Sequence, residues 1–202
     1  MKITHTRRRL GSTLAIAAVG VSIAACGSSS SSSSTSGASA SSASSEAQSA
    51  AAGDIPDNQQ FLRFKNASGG YSVLYPQGWA RKGSGPDLTF ADKDNTVHVV
   101  ISQGASPTVS SVSAELAKEA ASDPTLKPGK PQAVNLPSGP AVHVVYHVQG
   151  PADPVTGKRP TLMIDRYVLA SKGRVATVDE ATPVGVDNVD AYRMIIHSFK
   201  WS

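Results

Sequence analysis

Residues 27–53 contain fourteen serines in 27 positions, and most of the others are alanine or glycine. A stretch like this has too little apolar surface to offset the entropy of ordering it, so it is predicted to stay disordered and to act as a tether. Folding is thereby confined to residues 54–202, a length that suits one compact domain with a real hydrophobic core. A Gly/Ser-type chain the length of the tether reaches roughly 25–30 Å, enough to hold a small domain clear of a surface.

The segment before the tether has the three parts of a secretory leader. Lys2, Arg7, Arg8 and Arg9 make a positive start, residues 10–23 are apolar and small, and the run ends at Ile23-Ala24-Ala25-Cys26. The apolar run is short of the ~20 residues a spanning helix needs, and small residues before a cut site suit a signal peptidase. An aliphatic residue, two alanines and a cysteine resemble the bacterial lipobox, in which the thiol takes a diacylglycerol before cleavage. The expected layout is a signal peptide over residues 1–25, a lipidated Cys26 opening the 26–53 tether, and a domain at 54–202. The protein is then attached to the extracytoplasmic face of the cell membrane by lipid. Arg7-Arg8-Arg9-Leu10 is read as a general positive start rather than a twin-arginine signal. Cys26 is the only cysteine. No internal disulfide is possible, and acylation removes a thiol that an oxidising compartment would make a liability. Two acyl chains anchor stably where one does not.

The formal net charge of +4 belongs to the leader. Lys2, Arg7, Arg8 and Arg9 leave with it while every acidic residue stays, so the mature chain is balanced. Nucleic-acid binding needs a concentrated basic face, and none is visible. No second long apolar run comes after the leader.

Periodicity gives a coarse map of the domain. Residues 61–65 and 71–75 read as strands around a Gly69-Gly70 turn, and Pro76-Gln77-Gly78-Trp79 is a tight turn that returns a tryptophan to the sheet. Residues 88–90 and 97–102 form a hairpin across Asp92-Lys93-Asp94-Asn95. Val109, Val112, Leu116 and Ala120 fall at helical spacing, and Asp123-Pro124 stops that helix. Residues 130–136, 141–148, 161–170 and 174–178 read as strands, the last two joined by Lys172-Gly173. A final helix opens at Asp187 as N-cap, with Asp190 near its positive end; Val189, Tyr192, Ile195 or Ile196, and Phe199 form its buried stripe. The fold class is α+β, a largely antiparallel sheet flanked by helices in an α/β/α sandwich.

Gly70-Tyr71-Ser72-Val73-Leu74-Tyr75-Pro76-Gln77-Gly78-Trp79 resembles the opening hairpin of the PsbP family, the extrinsic oxygen-evolving-complex proteins of photosystem II and their bacterial relatives. Phe61-Leu62-Arg63-Phe64 before it and Asp87-Leu88-Thr89-Phe90-Ala91-Asp92 after it fit the same pattern. So do Gly173-Arg174-Val175-Ala176-Thr177-Val178 and Ile195-Ile196-His197-Ser198-Phe199 near the end. The resemblance implies an antiparallel sheet between helices, and a protein that docks on a membrane complex and helps it hold calcium and chloride. Plant members dock through an N-terminal extension, which here is a serine tether. Similar domains occur in bacterial lipoproteins without a photosystem, and that is the expectation for this chain: a non-catalytic binding or assembly module with a protein partner in a membrane complex. The alternatives are a carrier of a small apolar ligand or lipid, or a photosystem II-associated extrinsic protein with a calcium-linked role.

Few residues of the domain carry the marks of a chemical site. His143 and His147 on a strand point the same way about 13 Å apart, at roughly 3.3 Å per residue, too far to share an ion unless His98 or Asp165 joins from neighbouring strands. They are read as sheet-face histidines beside polar partners. Asp92-Lys93-Asp94-Asn95 starts like a calcium loop but lacks the later glycine and closing glutamate, and is read as a turn. Pro137-Ser138-Gly139-Pro140 lacks the elbow a nucleophilic serine needs. Asp179 and Glu180 are adjacent on a strand, so they face opposite sides; they are read as a solvated strand end. No catalytic residue, metal or cofactor is expected. Trp79, Tyr75, Tyr146, Tyr167 and Tyr192 are the aromatics that would line any groove, and the polar 150–160 loop is the first candidate for a partner surface.

Overall fold

The computed structural model describes residues 53–202. The leader, Cys26 and the tether up to residue 52 lie outside the described residues. Among the described residues, ten strands and two helices run in this order: β1 (Phe61–Asn66), β2 (Tyr71–Pro76), β3 (Ala80–Ser84), β4 (Asp87–Asp92), β5 (Asn95–Gln103), α1 (Val109–Ser122), β6 (Gln132–Leu136), β7 (Gly139–Gln149), β8 (Thr161–Ser171), β9 (Arg174–Pro183), α2 (Val189–Ser198) and β10 (Lys200–Trp201). Every strand pairing is antiparallel. None of the described helices is long and apolar enough to cross a membrane.

The strands make two sheets rather than the single sheet expected. Seven run in the order β3-β4-β5-β9-β8-β7-β6, and three in the order β1-β2-β10. Pro76 ends β2 without a backbone N–H to extend the ladder, and the turn closed by Trp79 N donating to Pro76 O sends the chain into β3, which pairs with β4 instead.

Alternation along the long strands divides the core in two. Val97, Val99, Ala176, Val178 and Leu169 face one side of the seven-stranded sheet, with Ile195 and Ile196 of α2, Phe199 just after it, and Tyr71 and Val73 of the small sheet. Tyr71 stacks on Phe199 and Tyr75 on Phe90. Val142, Val144, Leu162, Ile164 and Val168 face the other side, against Val112 and Leu116 of α1. Thr108 caps α1, exchanging bonds with Ser111, and Asp123 leaves the helical region before Pro124 as expected.

Several local expectations are corrected. β3 escapes a reading by periodicity because all five of its residues are exposed, an edge strand with charged Arg81 and Lys82 and no apolar alternation. Val109 and Val189, expected in buried stripes, each sit in the first turn of their helix and are largely exposed. The α2 N-cap is Asn188, not Asp187, and its side chain makes no cap bond. It turns inward instead. β9 runs five residues beyond Val178, so Asp179 and Glu180 stand inside a strand, not at a solvated end.

Candidate functional site

Asp179 and Glu180 do face opposite sides of the sheet, and the two sides treat them differently. Asp179 lies under α1, where Arg166 reaches it with both Nε and Nη2 at 2.8 Å. The same guanidinium donates to Glu119 Oε1 at 2.7 Å and to the Tyr146 hydroxyl at 3.0 Å. Burial opposes the Arg166 charge, but the bonds to Asp179 and Glu119 outweigh it and raise its pKa. Burial, and then Asp179, push the Tyr146 phenol up. This network ties helix α1 to β8 and β9 and closes on itself.

Glu180 lies on the other face, beneath α2. It is 1% exposed, and its Oε1 has no hydrogen-bond partner. Burial, then the nearby Asp165 and Asp179, raise its pKa well above the ordinary carboxylate value. Asp165 is its direct cross-strand neighbour, so the two carboxyl groups project side by side. Like charges in that position repel. Asp165 has a partner: its Oδ1 is 2.8 Å from His143 Nε2, and the imidazole stacks on Tyr167 with centroids 4.3 Å apart. Glu180 has none.

Both carboxyl groups line a cleft of about 220 Å³ between the sheet and α2, together with Met163, Tyr167, Thr182, Asn188, Val189, Tyr192, Arg193 and His197. One end is fixed by a buried polar knot. Asn188 Nδ2 donates to Asn95 Oδ1 and to Thr182 Oγ1, Thr182 Oγ1 donates to Asn95 Oδ1, and Asn95 Nδ2 donates to Gly53 O. Ile55 N donates to Asn188 Oδ1 at 2.7 Å. Gly53 and Ile55, at the start of the described residues, are thus bound to the wall of the cleft. The Tyr192 hydroxyl donates to Ala181 O, and burial raises its pKa.

The residues singled out from sequence are scattered. His143 joins Asp165 at the cleft, while His147 is exposed opposite Met163 and His98 pairs with Asp87 on the far side of the molecule's edge hairpin. Among the described residues, no three His, Cys, Asp or Glu side chains are placed to hold a metal ion. Tyr167 and Tyr192 line the cleft, Tyr146 packs beneath α1, and Tyr75 and Trp79 pack against the main core. Lys93 and Asp94 form the two-residue turn of the β4–β5 hairpin. The 150–160 loop is exposed except at its ends, with Asp153 Oδ1 accepting from Val155 N and Thr156 N. Those two residues hold the Asp153 pKa below its usual value, Thr156 foremost. Sequence reasoning placed Glu180 at a solvated strand end and Asn95 in a turn, and did not single out Asn188. The available signal was at Glu180 alone, a charged residue continuing the Val175-Ala176-Thr177-Val178 run, where burial requires a partner.

Residues 59–128 match the PsbP family. Over 74% of this chain and 98% of the other, the structure is similar to the solution structure of cyanobacterial PsbP (CyanoP) from Synechocystis, at 21% identity and a TM-score of 0.53. A more distant match is the Ran-binding protein Mog1p of Saccharomyces cerevisiae, at 8% identity over 70% of this chain and 95% of that one with a TM-score of 0.46. LpqN of Mycobacterium tuberculosis, a protein involved in cell envelope biogenesis, matches at 17% identity over 71% and 91% with a TM-score of 0.44. No curated protein matches the sequence. The domain has a PsbP-like α+β fold.

Proposed function

We propose that this PsbP-like domain is the working end of an exported lipoprotein, and that it binds a protein partner in a membrane complex without catalysing a reaction. The observation that carries the reading is the order of parts: a leader ending at Ile23-Ala24-Ala25-Cys26, a serine-rich run, then a domain of PsbP-like fold. Cleavage before Cys26 and lipid on its thiol leave residues 26–53 as a tether and hold the domain on the extracytoplasmic face. The described part of the chain has no spanning helix, so in this reading the lipid is the attachment. The binding role is favoured over an enzyme because the cleft is lined by neither serine nor cysteine and its one histidine–carboxylate pair is stacked into the sheet face beside Tyr167.

Two measurements test this. The mass of the N-terminal peptide of protein purified from membranes should equal that of a chain starting at Cys26 plus diacylglycerol; a free thiol or a retained leader refutes the anchor. Crosslinking in intact membranes and subsequent purification should recover a defined protein partner, and recovery of background alone refutes the binding role. A second reading, a small-ligand carrier, is favoured by the cleft beneath α2.

A further inference from the structure

We propose that the cleft between α2 and the seven-stranded sheet binds a primary ammonium group carried on a short aliphatic stem, with Glu180 and Asp165 as its acceptors. The inference stands independently of the lipid anchor and of the protein partner.

A buried acceptor without a donor costs free energy, and native proteins rarely leave one so. Glu180 Oε1 is such an acceptor. Of the donors around it, Thr182 and Asn188 bond Asn95 and the Tyr192 hydroxyl bonds Ala181 O, and the Tyr167 hydroxyl, though it lines the same cleft, makes no bond to Glu180 Oε1. On β5 its cross-strand neighbour is the fully buried Val97, which has no polar side-chain atom. On β8 its neighbour is Asp165, a second acceptor, with Tyr167 beyond it. From α2, Tyr192, Arg193 and His197 line the cleft; Arg193 is bound to Asp190 on the helix exterior, 62% exposed, and His197 is exposed. No cation of the described residues reaches Glu180. The missing donor is therefore supplied from outside.

The site selects among donors. Two adjacent carboxyl groups favour a positive charge, and an ammonium brings three N–H donors on a compact centre. Among the described residues no third His, Cys, Asp or Glu side chain joins the pair, so the protein supplies fewer charged ligands than a dedicated calcium cage uses. A planar guanidinium forks best onto one carboxylate presented edge-on, whereas here one Asp165 oxygen is already held by His143. Met163 and Val189 at the cleft give an aliphatic stem apolar contact. Burial and the neighbouring Asp165 favour the protonated form of Glu180; an ammonium between the two carboxyl groups favours the ionised form, and the proton released passes to solvent. Binding and proton release are thereby linked.

The test is calorimetric titration of the full chain with 1-pentylamine, in buffers of differing ionisation enthalpy, beside 1-pentanol. The expected result is one saturable site for the amine with proton release, and pentanol weaker by about tenfold or more, the loss of one charge-assisted contact. Glu180→Gln, which keeps the shape, should weaken the amine by a similar factor, abolish proton release and leave the domain folded by circular dichroism. Asp165→Asn should weaken the amine while keeping proton release. A lysine derivative blocked at both ends identifies the source: binding equal to pentylamine marks a polypeptide lysine as the natural head group, and its exclusion marks a free amine. Absence of saturable pentylamine binding, equal binding of pentanol, or Glu180→Gln binding as tightly as the parent overturns the proposal.

Discussion

Replacing Arg166 by methionine tests how helix α1 is held to the sheet. Only 11% of the Arg166 side chain is exposed, and that of Asp179 17%. The substitution keeps most of the aliphatic volume but leaves Asp179 ionised beneath the helix without its two-pronged partner. Removing one member of a buried ion pair costs about 3–5 kcal/mol, most of it the unpaired charge left behind. Here the lower half of that range applies, since Glu119 is 34% exposed and rehydrates. A loss of about 3 kcal/mol lowers Tm by roughly 6–12 °C in a domain of this size. Urea unfolding monitored by circular dichroism measures it. The double variant Arg166→Met with Asp179→Leu removes the orphaned charge and should recover most of the loss. A single variant within about 1 kcal/mol of the parent, or a double variant no better than the single, refutes the account of α1 as pinned by a buried charge network.

Glu180→Gln carries a second pH test. Because the folded carboxyl has its pKa raised, the parent's stability from this group is full below the unfolded value of 4.5 and is lost as pH rises through the folded pKa; the Gln variant lacks that loss, so stability curves that stay parallel across this range contradict it. Asn188→Ala strips partners from Asn95, Thr182 and Ile55 N. It should cost about 2–3 kcal/mol and speed limited proteolysis near residue 55, and an unchanged cleavage rate contradicts the polar knot. Gly70→Ala places a Cβ 1.7 Å from Arg174 Nη1 at a positive φ. Displacing Arg174 from Gly69 O, Ser202 O and the Trp201 face should destabilise by about 1–2 kcal/mol, read from urea midpoints. Cys26→Ala should shift the protein from the membrane to the soluble fraction, and continued membrane retention contradicts lipid attachment through this thiol.

Most of the elements are legible in the sequence because their signals are local. Val97, Val99 and Ile101 alternate, Val112 and Leu116 fall four apart, and Asp123-Pro124 cannot continue a helix. Those patterns arise from the period of a strand, the period of a helix and the ring of proline, so the α+β class and nearly every strand of the large sheet can be read directly. The order of Gly70–Trp79 and the segments around it points further, to the PsbP-like fold that the described residues adopt.

What the tertiary structure alone decided is which polar side chains are shut away from water, and beside what. Asp179 and Glu180 are neighbours in sequence, chemically alike and on one strand. One meets Arg166 from β8, itself bound to Glu119 of α1, while the other meets Asp165 and no donor. That difference depends on the register of three strands and on which face each helix covers, quantities set by packing between residues 13 and 47 positions apart. Likewise Asn188 looks like an ordinary helix start, and only the meeting of β5, β9 and the Gly53–Ile55 segment turns its amide inward. Local pattern determines which elements form, because backbone geometry repeats every few residues. Burial of charge is a property of the assembled core, where a carboxyl group's state is set by neighbours that no short stretch of sequence contains.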